Sequence, residues 1–289
     1  MKITFGMIIF NSDFVLKQNL ETVYPYAHNI LVAEGPVTYW QKQGFTTSTD
    51  RTNDILENFP DPENKIKVVH GQYPEKHEQA NAYVPNFDHD CKEPHYIWNL
   101  DADEIFKPQD IETVISLLGA EQYTSVGFKS ISFYGGFERY LTGFEENAEF
   151  LRIQKTYPGW KWENHRPPKV KQQGPEKHLN YNDLARMGVR MYHYSYVFPR
   201  QVKEKVQYYK SAVSQDNCID DYFEKIYLPW TKNAYMRDET ENEYNGVHEF
   251  KPSYRGACKT AWFEGKHPKI IQRDMPELRA EFERQLNEY

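Results

Sequence analysis

Asp101 and Asp103 stand two apart where an apolar, aromatic run ends, in "HYIWNLDADEIF" (95–106), and Glu104 follows directly. Two carboxylates on alternate residues at a strand end can aim at one hard cation, and a cation held there can bridge phosphate oxygens. The plainer alternative is a solvated strand end whose acids cap the next helix. The Asp-x-Asp spacing is common by chance. Asp88 and Asp90 in "NFDHDCKEP" share it, but in a polar stretch after a proline. Position separates the two pairs, because open α/β sheets bind ligands outside the carboxyl ends of their strands. An EF-hand is excluded, since its mid-loop glycine and closing glutamate are missing. A phosphatase with an aspartyl nucleophile is disfavoured, since its acids belong after the first strand. Glu104 is expected to anchor the following loop or a neighbouring basic side chain.

The elements that must carry these acids are legible from hydropathy. "KITFGMIIFN" (2–11), "NILVAEG" (29–35), "KIKVVHG" (65–71) and "HYIWNL" (95–100) read as strands. Helical stretches alternate with them. "SDFVLKQNLETVY" has Ser12 or Asp13 as a cap, "STDRTNDILENF" has Thr49 or Asp50, and "KHEQANAYV" precedes the acid-ended strand. Strand and helix in alternation predict βαβ units and a largely parallel sheet. "KPQDIETVISLL" predicts a helix with Pro108 near its start and Ile111, Val114, Ile115 and Leu118 on its buried face.

"YTSVGFKSISFYGG" reads as one strand, and residues 136–190 as a loop-rich segment with many aromatic and basic residues. "VRMYHYSYVF" (189–198) is again a strand. "PRQVKEKVQYYKSAV" is an amphipathic helix through Val202, Val206, Tyr209 and Val213, and "DMPELRAEFERQLNEY" a charged terminal one.

The 289 residues are enough for a large core. Aromatic residues make up 16%, which suits either a dense core or a groove that stacks on sugars and bases. A net charge of −7 argues against a nucleic-acid backbone as the main partner. No apolar run approaches the roughly 18 to 20 residues of a membrane helix, and the opening "MKITFGMIIFNSDF" is too soon interrupted for a signal sequence. The expectation is a cytoplasmic protein without a transmembrane segment. Cys91, Cys218 and Cys258 are far apart and odd in number, so reduced structural thiols are expected.

The order of these pieces resembles the family-2-like glycosyltransferases of GT-A fold. "LDADE" after the fourth strand resembles their metal-binding motif. "GMIIFNSDFVLKQNLETV" resembles their first strand and helix, "ILVAEG" the second strand ending on an acid, "STDRT" the Ser-x-Asp-x-Thr segment, and "KHEQANAY" the Lys-to-Asn helix. The likeness covers about residues 1–135. It departs from the family where the "DDGSTD" run is split, with Glu34 in place of an Asp and about a dozen residues before Ser48.

The resemblance implies an α/β GT-A fold, with a mostly parallel central sheet flanked by helices. The domain would span 1–215, with residues 1–135 binding the nucleotide-sugar and residues 136–215 on the acceptor side, and 216–289 would be a helical and loop extension. It implies transfer of a sugar from a nucleotide-diphospho-sugar to a hydroxyl acceptor, with inversion and a divalent cation, Mn²⁺ or Mg²⁺. Asp101 and Asp103 would hold the cation. His193, in "MYHYSYVFPRQVKEKVQYY", resembles the family's His-led strand and would be the third ligand, a set that suits Mn²⁺ better. A His hydrogen-bonded among Tyr192, Tyr194 and Tyr196 is the alternative.

Asn11, Glu34, Lys76 and Asp101 are the nucleotide-side candidates. The catalytic base would be a carboxylate facing the acceptor: Glu163 in "GWKWENHRPP", with Trp160 and Trp162 available to stack on sugar rings, or else Asp183 or Glu138. Two other readings stay open: a non-catalytic sugar- or nucleotide-binding protein of the same fold, and a metal-dependent nucleotidyl- or phosphotransferase.

Overall fold

The computed structural model describes residues 1–87, 92–121, 123–171, 173–213 and 215–289. The Asp88–Asp90 pair and Cys91 lie outside them. In chain order the strands are β1 (Lys2–Ile9), β2 (Asn29–Glu34), β3 (Ile66–His70), β4 (His95–Leu100), β5 (Glu104–Ile105), β6 (Ser125–Phe128) and β7 (Ser130–Tyr134). They continue with β8 (Arg139–Leu141), β9 (Phe150–Lys155), β10 (Trp162–His165), β11 (Pro168–Val170), β12 (His178–Leu179), β13 (Met191–Tyr196) and β14 (Thr260–Trp262). The chain forms two compact units, Met1–Lys129 with Glu149–Met191, and Ser130–Ala148 with Tyr192–Tyr289.

The first unit is built on a sheet in the order β12-β6-β9-β4-β1-β2-β3. β3, β2, β1 and β4 run parallel, as the alternation of strands and helices predicts, and β9 runs antiparallel to both β4 and β6. All six residues of β2 and of β4 are buried, which is why these strands read as unbroken runs rather than alternating ones. Helices Leu16–Val23, Thr52–Asn58, Lys76–Tyr83 and Pro108–Glu121 belong to this unit. Trp98 centres the core, with Phe5, Phe106 and Phe128 at ring-centroid distances of 5.3, 5.0 and 5.5 Å. The aromatic excess therefore goes substantially into packing.

Local starts differ from the sequence expectation in places. The first helix begins only at Leu16 with no side-chain cap, because the Ser12 hydroxyl donates back to the Phe10 carbonyl and Asp13 accepts from Arg51. Asp50 does accept from the Thr52 amide, in the first turn of the next helix. The run 123–136 is two strands, β6 and β7, which pair in different sheets. The terminal helix starts at Lys269 and runs through Pro276 to Asn287.

In the second unit β14, β8, β7 and β13 lie side by side in that order. Helix Pro199–Tyr208 continues as a wider π-helical turn, Tyr209–Val213. Tyr134, Tyr196, Tyr227 and Trp230 fill the core. Cys218 and Cys258 are buried free thiols, and burial pushes the Cys218 thiol up to about 11. No helix among the described residues is long and apolar enough to cross a membrane.

Glu249 is buried in this unit, accepting from the Tyr196 hydroxyl at 2.6 Å and lying 3.0 Å from His248 Nδ1. Burial pushes its carboxyl up, but His248, Lys205 and the Tyr196 hydroxyl more than reverse this and bring it down to about 2 from the ordinary 4.5. A carboxyl depressed by folding contributes stability that is complete above its unfolded value and lost as pH falls through its folded one. Acid titration of unfolding should therefore show about 3 kcal/mol disappearing between roughly pH 4.5 and pH 2. The Glu249→Gln variant should lose that slope.

Candidate active site

Because β1 to β4 are parallel, their carboxyl ends, and the residues that follow them, meet at one edge of the sheet. β1 is followed by Asn11, in the left-handed region at φ 48°, a conformation that Asn tolerates. Its amide donates to Ser48 Oγ at 2.9 Å and its Oδ1 accepts from the Thr49 amide at 2.9 Å. Glu34 ends β2 fully buried and accepts from the Ser48 amide at 2.7 Å, from Thr47 Oγ1 at 3.1 Å, and lies 3.0 Å from His70 Nδ1. Burial raises its carboxyl, yet these hydrogen bonds from His70, Ser48 and Thr47 outweigh burial and leave it below the ordinary range. Glu34 and Asn11 thus fasten the segment 47–49 across the strand ends.

Gln79 reinforces the edge. Its Nε2 lies 3.2, 2.9 and 3.1 Å from the carbonyls of Ile9, Ala33 and Gly35. Gly35 is required where it stands: at φ +138° a Cβ would come within 1.9 Å of the Gly71 carbonyl.

The acids after β4 are organised by a residue that the sequence did not single out. Arg152 comes from β9, the antiparallel neighbour of β4, and is 8% exposed. Its Nε donates to Glu104 Oε1 and Oε2 at 3.0 and 2.9 Å, and its Nη2 donates to Asp101 Oδ2 at 3.0 Å and again to Glu104 Oε1. Burial works against its charge, but Glu104, Asp101 and Asp103 outweigh burial and keep the guanidinium firmly protonated.

Glu104, 1% exposed, is thus the anchor for a basic side chain that was expected. The Glu104 amide donates to the Asp101 carbonyl at 3.1 Å, and Asn19 Nδ2 reaches the carbonyls of both residues, at 3.2 and 2.6 Å, so the turn 101–104 is closed from inside. The Asp101 side chain remains 37% exposed, and Asp103 is half-buried.

Lys76 opens the helix Lys76–Tyr83 and is half-buried. The hairpin β10–β11 is tied to that helix by Asn81, which donates to the Trp162 carbonyl at 2.9 Å and accepts from the Trp162 amide at 2.8 Å. At its tip the His165 imidazole is held well below its usual range, first by burial, then by Lys76, with Arg166 and Arg152 adding to the effect and Asp101 opposing it. His165 therefore sits neutral in the same field as Lys76, Asp101 and Arg152. Nothing in its sequence neighbourhood marks it.

Glu163 is exposed on β10. Trp160 and Trp162 do not offer ring faces to a sugar. They are 2% and 3% exposed, with Trp160 packed edge-on against Phe87 and Trp162, and Trp162 Nε1 donating to the Tyr83 hydroxyl at 2.9 Å. Asp183 is exposed on the helix Tyr181–Arg186 and pairs with Arg186 at 2.7 Å. His193 belongs to the second unit, on β13, buried, with Nδ1 3.4 Å from Ser132 Oγ. Glu138 is paired with Arg279 there.

Among the described residues no group of three or more His, Cys, Asp and Glu side chains stands close enough together to hold a metal ion. The donor chemistry at Asp101 and Asp103 suits a different arrangement, in which a hard cation takes one or two carboxylates and completes its shell with phosphate oxygens and water.

Residues 46–184 match the model of glycosyl transferase family 2. No curated protein matches the chain. Among solved structures, S. aureus TarS 1–349 in complex with UDP-GlcNAc is 14% identical, with a TM-score of 0.34 over 47% of this chain and 36% of that one. Glucosyl-3-phosphoglycerate synthase from Mycobacterium tuberculosis, in complex with Mn²⁺, UDP and glucosyl-3-phosphoglycerate, is 16% identical, with a TM-score of 0.31 over 46% of this chain and 44% of that one. The chain spans less than half the length of either.

Proposed function

We propose that this chain, a family 2 glycosyltransferase across residues 46–184, moves a sugar from a nucleoside-diphosphate donor to a hydroxyl acceptor at the carboxyl edge of β1 to β4. The observation that carries this reading is the acid pair Asp101 and Asp103 on the turn that leaves β4, set beside the buried cation Arg152. Such an edge takes a polyanion and the cation that travels with it.

The reaction breaks the bond between the anomeric carbon and the diphosphate, forms one to the acceptor oxygen, and sends the acceptor proton to a base. A divalent cation, Mn²⁺ or Mg²⁺, would be held by Asp103 and Asp101 and would supply charge neutralisation for the departing diphosphate. Asp101 could instead meet the ribose. Asn11 and Glu34 shape the nucleoside end by fixing the segment 47–49, and Lys76 adds positive charge on the diphosphate side. Glu163, exposed on its hairpin, is the base in this reading, with Asp183 the alternative. Displacement is single and inverting. Residues 1–135 serve the donor and the segment from 136 to 215 the acceptor.

The test is a thermal-shift panel of UDP-, GDP- and dTDP-sugars with and without Mn²⁺. A donor at about 100 times its dissociation constant should stabilise the protein by roughly 2.7 kcal/mol. Slow donor hydrolysis by the stabilised protein, releasing nucleoside diphosphate, distinguishes a transferase from a binding protein. No stabilisation by any donor overturns the proposal.

A further inference from the structure

We infer that Arg152 is a positioning residue that makes cation binding at Asp101 and Asp103 depend on prior binding of the nucleoside diphosphate; this rests on the donor reading above. Arg152 is itself a cation on the Asp101 carboxylate, 3.0 Å from Oδ2. It is also a fixed one, since Nε and Nη2 are both held by Glu104, which has almost no solvent contact. A divalent ion approaching Asp101 on its own therefore finds Oδ2 already engaged by a guanidinium that Glu104 holds in place.

The same guanidinium favours a diphosphate. Among the described residues Arg152 Nη1 has no protein acceptor, and a guanidinium nitrogen at that place can donate to a phosphate oxygen. Once the diphosphate is seated on the guanidinium, it offers the cation further oxygens. Nucleotide first and cation second is the order that this arrangement imposes.

Mn²⁺ binding, read by the electron spin resonance of the free ion, tests this on the full chain with and without UDP, GDP or dTDP. Wild type should bind Mn²⁺ about tenfold or more tightly with the nucleotide than without it. The double variant Glu104→Gln, Arg152→Met removes both charges of the buried pair. It should bind Mn²⁺ alone about tenfold more tightly than wild type and lose most of the coupling.

A measurement on wild type stands beside it. The ¹⁵N guanidinium signal of Arg152, assigned by its loss in Arg152→Lys, should move with nucleotide alone and stay put with Mg²⁺ alone. Equal Mn²⁺ affinity with and without nucleotide, an unaltered double variant, or a response of Arg152 to Mg²⁺ alone overturns the inference while the donor reading stands. If none of the three nucleotides binds, the donor reading fails and takes this inference with it.

Discussion

Replacing Asp103 by asparagine should lower the rate of sugar transfer about 10²- to 10³-fold and leave the fold in place, since removal of one preorganised electrostatic group costs that much in a buried site. Asparagine keeps the shape of the side chain and loses only the charge. Asp103 is half-buried beside a turn that Glu104, Asn19 and the backbone already close, so unfolding should shift little. Release of nucleoside diphosphate from the donor, followed at saturating and limiting cation, reads the effect.

Asp101→Asn should behave differently. Asp101 shares its carboxylate with Arg152, so under the proposed function its loss would remove a cation ligand and also loosen the guanidinium offered to the diphosphate. Donor affinity should then change along with turnover, whereas Asp103→Asn should act chiefly on turnover. Full transfer activity and donor affinity in Asp103→Asn would remove the acid pair from the mechanism.

The acids were legible because their context was local. "HYIWNL" is apolar or aromatic at four of its six positions, as suits a strand covered on both faces, and the acids begin where that run stops. The parallel β1 to β4 were legible for the same reason, each bounded by polar residues and alternating with helical periodicity.

What was not legible depends on contacts distant along the chain. Arg152 meets residues separated from it by 48 and 51 positions, and nothing inside "FLRIQK" reveals that its strand lies beside β4. An arginine set between the apolar Leu151 and Ile153 is the one signal that could have drawn attention to it. Trp160 and Trp162 read as platforms because their segment is polar and rich in prolines, yet packing against Phe87 and Tyr83 buries them. His165 became relevant only when its hairpin was docked on the helix that begins with Lys76. Acids at a strand end can be seen in one dimension, while the second layer that pairs with them is assembled by the fold.

That second layer makes Arg152→Met the most destabilising single change expected in the first unit. The substitution keeps much of the apolar stem but leaves Glu104, 1% exposed, without its counter-charge. Breaking a buried pair from one side typically costs about 3 to 5 kcal/mol, because one charge is left desolvated and uncompensated. Urea unfolding at neutral pH should show a loss of that size, with an unchanged m-value if the unfolded state is not affected.

Adding Glu104→Gln should restore most of the stability, since a neutral amide can still accept from the Asp101 backbone amide that Glu104 Oε2 now holds at 3.3 Å. Rescue by the second substitution locates the cost in the orphaned charge, and its absence would locate it in lost packing around the Arg152 stem. The comparison also bears on why the pair is there. Similar stability with a neutral pair would mean that Arg152 and Glu104 contribute little net energy to folding. Their value would then lie in holding a fixed positive charge beside Asp101, a position where an apolar substitute could fill the space but could not meet a diphosphate.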